Sequence, residues 1–216
     1  IVLTLPVPLS IGLIFVALTK GFEVVHDIAR LYPLSLVTTY IFLTSFALLS
    51  RYNLAVTVAL SFAAWALVSG LFLNLQLPGA PLAFMLGTLL ITLLFFVVKQ
   101  SALQKSLRIF PINVKNIVVR SSMGGMLIVL VITVTKLLGP LWGALFAAFP
   151  ITFTSTLIIY RHFQGREVIP TVALSLFFPG CFGFMLYTWV AALTFPFLGI
   201  WVGTALGYLA VGTFFA

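Results

Sequence analysis

"LTKGFEVVHDIARLYPLSLVTTY", residues 18–40, aligns with "VTKLLGPLWGALFAAFPITFTSTL", residues 134–157, once a one-residue gap is allowed. The alignment sets Thr19-Lys20 against Thr135-Lys136 and Tyr32-Pro33 against Phe149-Pro150. Downstream, "TVALS" occurs at residues 57–61 and again at 171–175, and "GT" at Gly87-Thr88 and Gly203-Thr204. The offsets of 116, 117, 114 and 116 residues are nearly constant across separate segments, so the chain reads as one unit written twice.

Composition says what solvent that unit expects. Only 6% of the 216 residues are charged and 62% are hydrophobic, with 22 Phe and a mean hydropathy of +1.27. A soluble domain is about 25% charged, so lipid is the expected surroundings. A hydrocarbon core of about 30 Å takes about 20 apolar residues per helix. Backbone groups there must be satisfied within the segment, and barrel strands would instead alternate over about 10 residues. Apolar runs between breakers predict eight spans, at about 1–19, 25–49, 54–75, 81–98, 117–138, 141–160, 168–194 and 197–215.

The expected fold is an all-α membrane protein of eight transmembrane helices. Residues 1–98 form a first four-helix repeat, 99–116 a cytoplasmic basic linker and 117–216 a second four-helix repeat. An even number of spans per repeat points both copies the same way, giving a pseudo-two-fold axis along the membrane normal. The chain begins at Ile1 inside an apolar run without Met, so a short N-terminal piece is expected to precede it. Residues 1–19 lack the basic start and small-residue cleavage site of a signal peptide.

Orientation follows the basic residues, which stay in cytoplasmic loops. Connections 2–3, 4–5 and 6–7 carry Arg51, Lys99, Lys105, Arg108, Lys115, Arg120, Arg161 and Arg166, eight of the eleven Lys and Arg residues. The opposite side holds Lys20, Arg30 and Lys136, offset by Glu23 and Asp27. Both termini are therefore expected in the cytoplasm. The net charge of +8 reads as a topology signal with attraction for anionic lipid head groups, and argues for no nucleic-acid partner. Three acids, two His and the single Cys181 supply no zinc spacing, nucleophile elbow or phosphate loop, so no enzyme, metal or cofactor is expected.

Thr135, Lys136, Gly143, Phe149, Pro150, Gly165 and Glu167, with the stretch "YRHFQGRE", resemble the small GlpM-like bacterial membrane proteins. The first copy keeps Thr19, Lys20 and Pro33, has Tyr32 in place of Phe and lacks the Gly. The resemblance implies a protein of the bacterial cytoplasmic (inner) membrane in which two copies have fused, and it carries over no catalytic residue.

Proline removes a backbone donor and clashes with the carbonyl four residues earlier. Kinks are therefore expected in the second helix of each repeat, at Pro33 and Pro150. Each proline precedes hydroxyl side chains. Tyr32, Ser35 and Thr39 share one helical face, and so do Phe149, Thr152 and Thr156. Such a face can line a substrate path or simply pack helices. Ionisable residues crowd the start of the same helix in the first copy only: Glu23, His26, Asp27 and Arg30, with Lys20 just before. Asp27 and Arg30 stand i, i+3, and a His with an acid beside it suits proton or cation coupling. Charges inside a span usually mark a pathway or relay; at its mouth they are an interfacial rim. Lys20 and Lys136 end matching helices, as snorkelling anchors or as a cation pair for an anionic group.

These features lead to a transporter or flippase-like carrier for a small or lipid-linked, anionic substrate, with its path between the repeats. The alternative is a non-transporting subunit that assembles or stabilises a cell-envelope complex, or acts as a homo-oligomer.

Overall fold

The alternation of apolar runs and breakers predicts helices with short joints, and the computed structural model has that form. It describes residues 7–74, 80–102, 114–139, 142, 146 and 148–214, and among these there is no strand. Helices α1 (Val7–Lys20), α2 (Phe22–Leu48), α3 (Leu54–Asn74), α4 (Ala80–Ser101), α5 (Val114–Leu138), α6 (Ile151–Gln164) and α7 (Ile169–Phe214) follow in order. Two 3-10 turns, Leu49–Arg51 and Arg166–Val168, join α2 to α3 and α6 to α7.

The joints are set by glycines where a side chain would strain the backbone. Gly21 (φ 89°) follows α1 and Gly139 (φ 94°) follows α5. Each sends its N–H back four residues, to the Ala17 and Thr135 carbonyls, at 3.1 Å in both cases. This satisfies a carbonyl that the helix end would leave bare. Gly199 (φ 76°, ψ 170°) interrupts α7, so the 46-residue element is two helical arms joined at a corner. Two further glycines let the arms close up. A Cβ on Gly203 would sit 2.5 Å from Phe195 Cδ1, and one on Gly207 would sit 2.7 Å from Tyr187 Cδ2. Counting the two arms, eight helical segments are described, close to the eight runs read from sequence.

Helix α2 is the centre. It packs against α1, α3, α4 and α7, and Tyr32, Leu36, Tyr40, Phe42, Leu43 and Phe46 are fully buried along it. A helix apolar on all sides belongs inside. The neighbours turn narrow faces toward the core: Thr57, Ser61, Trp65 and Ser69 on α3 recur every four residues, and all are buried. Outside this core the surface is apolar. Phe197, Trp201, Met126 and Leu137 are each more than 70% exposed. Two helical stretches, 54–72 and 166–214, are long and apolar enough to cross a membrane.

The prolines behave differently from one another. Helix α2 runs unbroken through Pro33, whereas residues 148–150 are non-helical and α6 starts at Ile151, just after Pro150.

Candidate functional site

The site expected from sequence divides into a charged mouth and a buried hydroxyl face, both carried by α2. At the mouth, Val25, Ile28 and Tyr32 face the core at helical spacing, which turns Glu23 and His26 outward. Glu23 and His26 are exposed and Asp27 is half-buried. Glu23 lies in the first turn, where a carboxylate suits the positive end of the helix. Lys20 and Lys136 are both exposed in the last turns of α1 and α5, two helices that pack on each other. The Arg30 side chain lies outside the described residues, and with it the expected pairing to Asp27. The same holds for the side chains of Pro33 and Thr152, and for Gly143, Lys105 and Arg108.

Deeper in α2, Ser35, Thr38 and Thr39 are buried, and Thr38 Oγ1 donates to the Ser35 carbonyl at 2.7 Å. At 1.5 Å per residue the mouth and this face are about 18 Å apart along the helix, so the structure does not merge them. Thr156, on the second copy, is buried too, beside Thr154 and Ser155.

Thr39 reaches the other copy. Its hydroxyl donates to the Ala148 carbonyl, 109 residues away, at the point where the chain leaves the helix. The rest of the break is satisfied locally. The Phe149 N–H donates to the Phe146 carbonyl at 3.0 Å, and Pro150's carbonyl accepts from the Thr154 N–H at 2.8 Å and Thr154 Oγ1 at 2.6 Å. A bare buried carbonyl would cost about 1–3 kcal/mol, so these hydroxyls are what let the helix stop here. Phe149, half-buried, closes one flank. It stacks on Phe62 at 5.4 Å and meets the edge of Trp65 at 4.8 Å, with Phe146 parallel to it at 6.1 Å.

Sequence reasoning missed Tyr40. It lies one residue past Thr39, fully buried, and its Oη donates to the Phe177 carbonyl of α7 at 2.9 Å. Gly180 makes this reach available: a Cβ there would stand 2.8 Å from Tyr40 Oη and 3.0 Å from Phe153 Cζ. The signal was present in "PGCFGF", where glycines permit either close approach or a break. The helix continues through this stretch, so its role is close approach.

Also missed was a clasp between the two 3-10 turns, which touch one another. Arg161 donates from Nη2 to the Tyr52 carbonyl and from Nη1 to Thr57 Oγ1 at 3.3 Å. Arg166 Nη1 donates to the Arg51 carbonyl at 2.9 Å. From sequence these arginines read as markers of the cytoplasmic side in contact with lipid head groups.

Among the described residues no three His, Cys, Asp or Glu side chains group as a metal site. Nor does any pocket described here open onto the hydroxyl face. One apolar pocket, about 310 Å³ and open to the surface, is lined by Phe182, Met185, Leu186, Trp189 and Phe214. The arrangement offers a hydrogen-bonded non-helical stretch between α2 and α6 and ionisable groups at one end of α2. Compared with known protein families, curated proteins and solved structures, the chain matches none.

Proposed function

We propose that this chain is a polytopic membrane carrier, a transporter or flippase-like protein, whose path runs between its two halves. The observation that carries the proposal is the non-helical stretch 148–150 before α6, where the Ala148 carbonyl accepts from Thr39 of α2. Interrupted helices of this kind present backbone polar groups at which a substrate or ion can replace an internal partner. A neighbouring helix whose mouth bears Glu23, His26 and Asp27 supplies groups able to couple or gate passage. Lys20 and Lys136 then favour an anionic, small or lipid-linked substrate.

Eight apolar helical segments under a surface of exposed Leu, Phe and Trp side chains support eight spans, since water would penalise that surface. Like-with-like contacts support two parallel repeats: α1 lies on α5, and one 3-10 turn lies on the other. Elements nearest a two-fold axis must meet their own counterparts. The matched helices α1 and α5 also end alike, at Gly21 and Gly139 with positive φ. Fusion of two GlpM-like units in a bacterial inner membrane, with both termini cytoplasmic, is the arrangement we infer.

The second reading is a non-transporting subunit of an envelope complex. Burial of Ser35, Thr38 and Thr39 favours it, because packed hydroxyls need no substrate. Reconstitution separates the two. Liposomes carrying the protein and a fluorescent phosphatidylglycerol analogue should show the inner-leaflet label becoming accessible to an external quencher. Asp27→Asn should abolish this while leaving the thermal melt unchanged. Equal activity in wild type, Asp27→Asn and empty liposomes would discard the lipid-carrier form of the proposal.

A further inference from the structure

The clasp leaves positive charge unanswered. Residues 49–57 and 161–168 hold Arg51, Arg161 and Arg166 against a single carboxylate, Glu167. The described partners of the clasp guanidiniums are neutral: the carbonyls of Tyr52 and Arg51 and the hydroxyl of Thr57. An Arg side chain has five N–H donors, so Arg161 and Arg166 keep donors beyond those bonds. Burial, and then the Arg166 charge, pull the Arg161 guanidinium below its ordinary pKa. An anion at the seam would relieve that crowding.

The surroundings say which anion. Tyr52 (46% exposed), Phe163 (59%) and Leu54 (38%) present apolar surface on the same turns. The Arg51 guanidinium lies 5.2 Å over the Tyr52 ring. Arginines beside exposed aromatics at helix ends match the level of lipid head groups, where one side is oily and the other wet. Basic seams between helices on the cytoplasmic side hold anionic lipids in the same way.

We propose that Arg51, Arg161 and Arg166 bind the phosphate of an anionic lipid head group at the seam between the two 3-10 turns. The lipid bridges the halves as a resident, distinct from any carried substrate. The inference rests on the membrane-embedded reading above and not on transport.

The test uses the full chain in neutral detergent, with the melting midpoint read as phosphatidylglycerol, phosphatidylcholine or inorganic phosphate is added. Phosphatidylglycerol should raise the midpoint saturably, and the other two should not. Arg51→Gln is the informative variant, because the clasp uses only the Arg51 carbonyl and survives the change. It should raise the half-saturating phosphatidylglycerol fraction about fivefold, the share of one guanidinium near a lipid surface. Lys99→Gln, at an exposed position in the last turn of α4 and outside the clasp, should leave that fraction unchanged. No saturable rise, or equal loss in Lys99→Gln and Arg51→Gln, would overturn the site; an equal rise with inorganic phosphate would overturn its assignment to lipid. Lipid-flip activity in phosphatidylcholine liposomes, measured on the same variants, tests the carrier proposal separately.

Discussion

Around Pro33 the chain stays helical from Phe22 to Leu48, whereas around Pro150 it leaves the helix at residues 148–150 and restarts at Ile151. The two prolines occupy matched places in a repeated sequence, and each removes the donor for the carbonyl four residues before it. What differs is who answers the freed acceptors. At the second site the Phe146 carbonyl takes the Phe149 N–H, Ala148 takes Thr39 and Pro150 takes Thr154. At the first, α2 stays helical through the proline, packed by four helices around a row of large buried side chains. A proline thus sets a local cost, and the tertiary contacts decide whether the helix continues through it.

The largest expected effect bears on what packs around α2. Gly180→Leu would drive a side chain into Tyr40 Oη and Phe153, close to the tie between α2 and α7. Overpacking of that kind costs about 1–3 kcal/mol or more, so the melting midpoint should fall sharply or no folded protein should be recovered. Gly125→Ala, with open space around the new methyl, should be neutral or gain up to about 1 kcal/mol from helix propensity. Similar losses at both glycines would show that Gly180 does not hold the tie.

Next in size is Thr39→Val, which keeps shape and removes the hydroxyl on Ala148. The cost should be about 1–3 kcal/mol, that of a bare buried carbonyl. Thr39→Ser should recover most of it. An unchanged melt in Thr39→Val would mean that the break stands without the other half.

The smallest effects separate the prolines themselves. Pro33→Ala restores a donor to an existing helix and should stabilise by up to about 1 kcal/mol. Pro150→Ala should leave the break in place, so the new amide at 150 should exchange with deuterium faster than its neighbours in α6. Strong protection there would show that proline alone interrupts the helix.

Much of the fold was legible because breakers mark where helices end. The run read as 54–75 became Leu54–Asn74, and 117–138 became Val114–Leu138. The runs read as 168–194 and 197–215 meet at a corner at Gly199, a few residues past the division read at 195–196. The outward position of Glu23 and His26 on α2 was also readable, since Val25 and Ile28 fix the inner face. The Thr39–Ala148 and Tyr40–Phe177 bonds, spanning 109 and 137 residues, were not. Periodicity says which face is apolar and is silent about which distant carbonyl that face meets. The clasp was hidden for a related reason: Arg161 and Arg166 look like any basic loop until the two turns touch.

The carrier proposal depends on the two copies crossing the membrane in the same sense. Single cysteines in a Cys181→Ala background, placed at Lys20, Lys136, Arg51, Lys99 and Arg166, test this most directly, since all five positions are exposed. Labelling of intact cells with a membrane-impermeant maleimide should modify positions 20 and 136. Positions 51, 99 and 166 should react only after the membrane is opened. Finding 20 and 136 on opposite faces, or 51 and 166 on opposite faces, would contradict the parallel repeat and the carrier built on it.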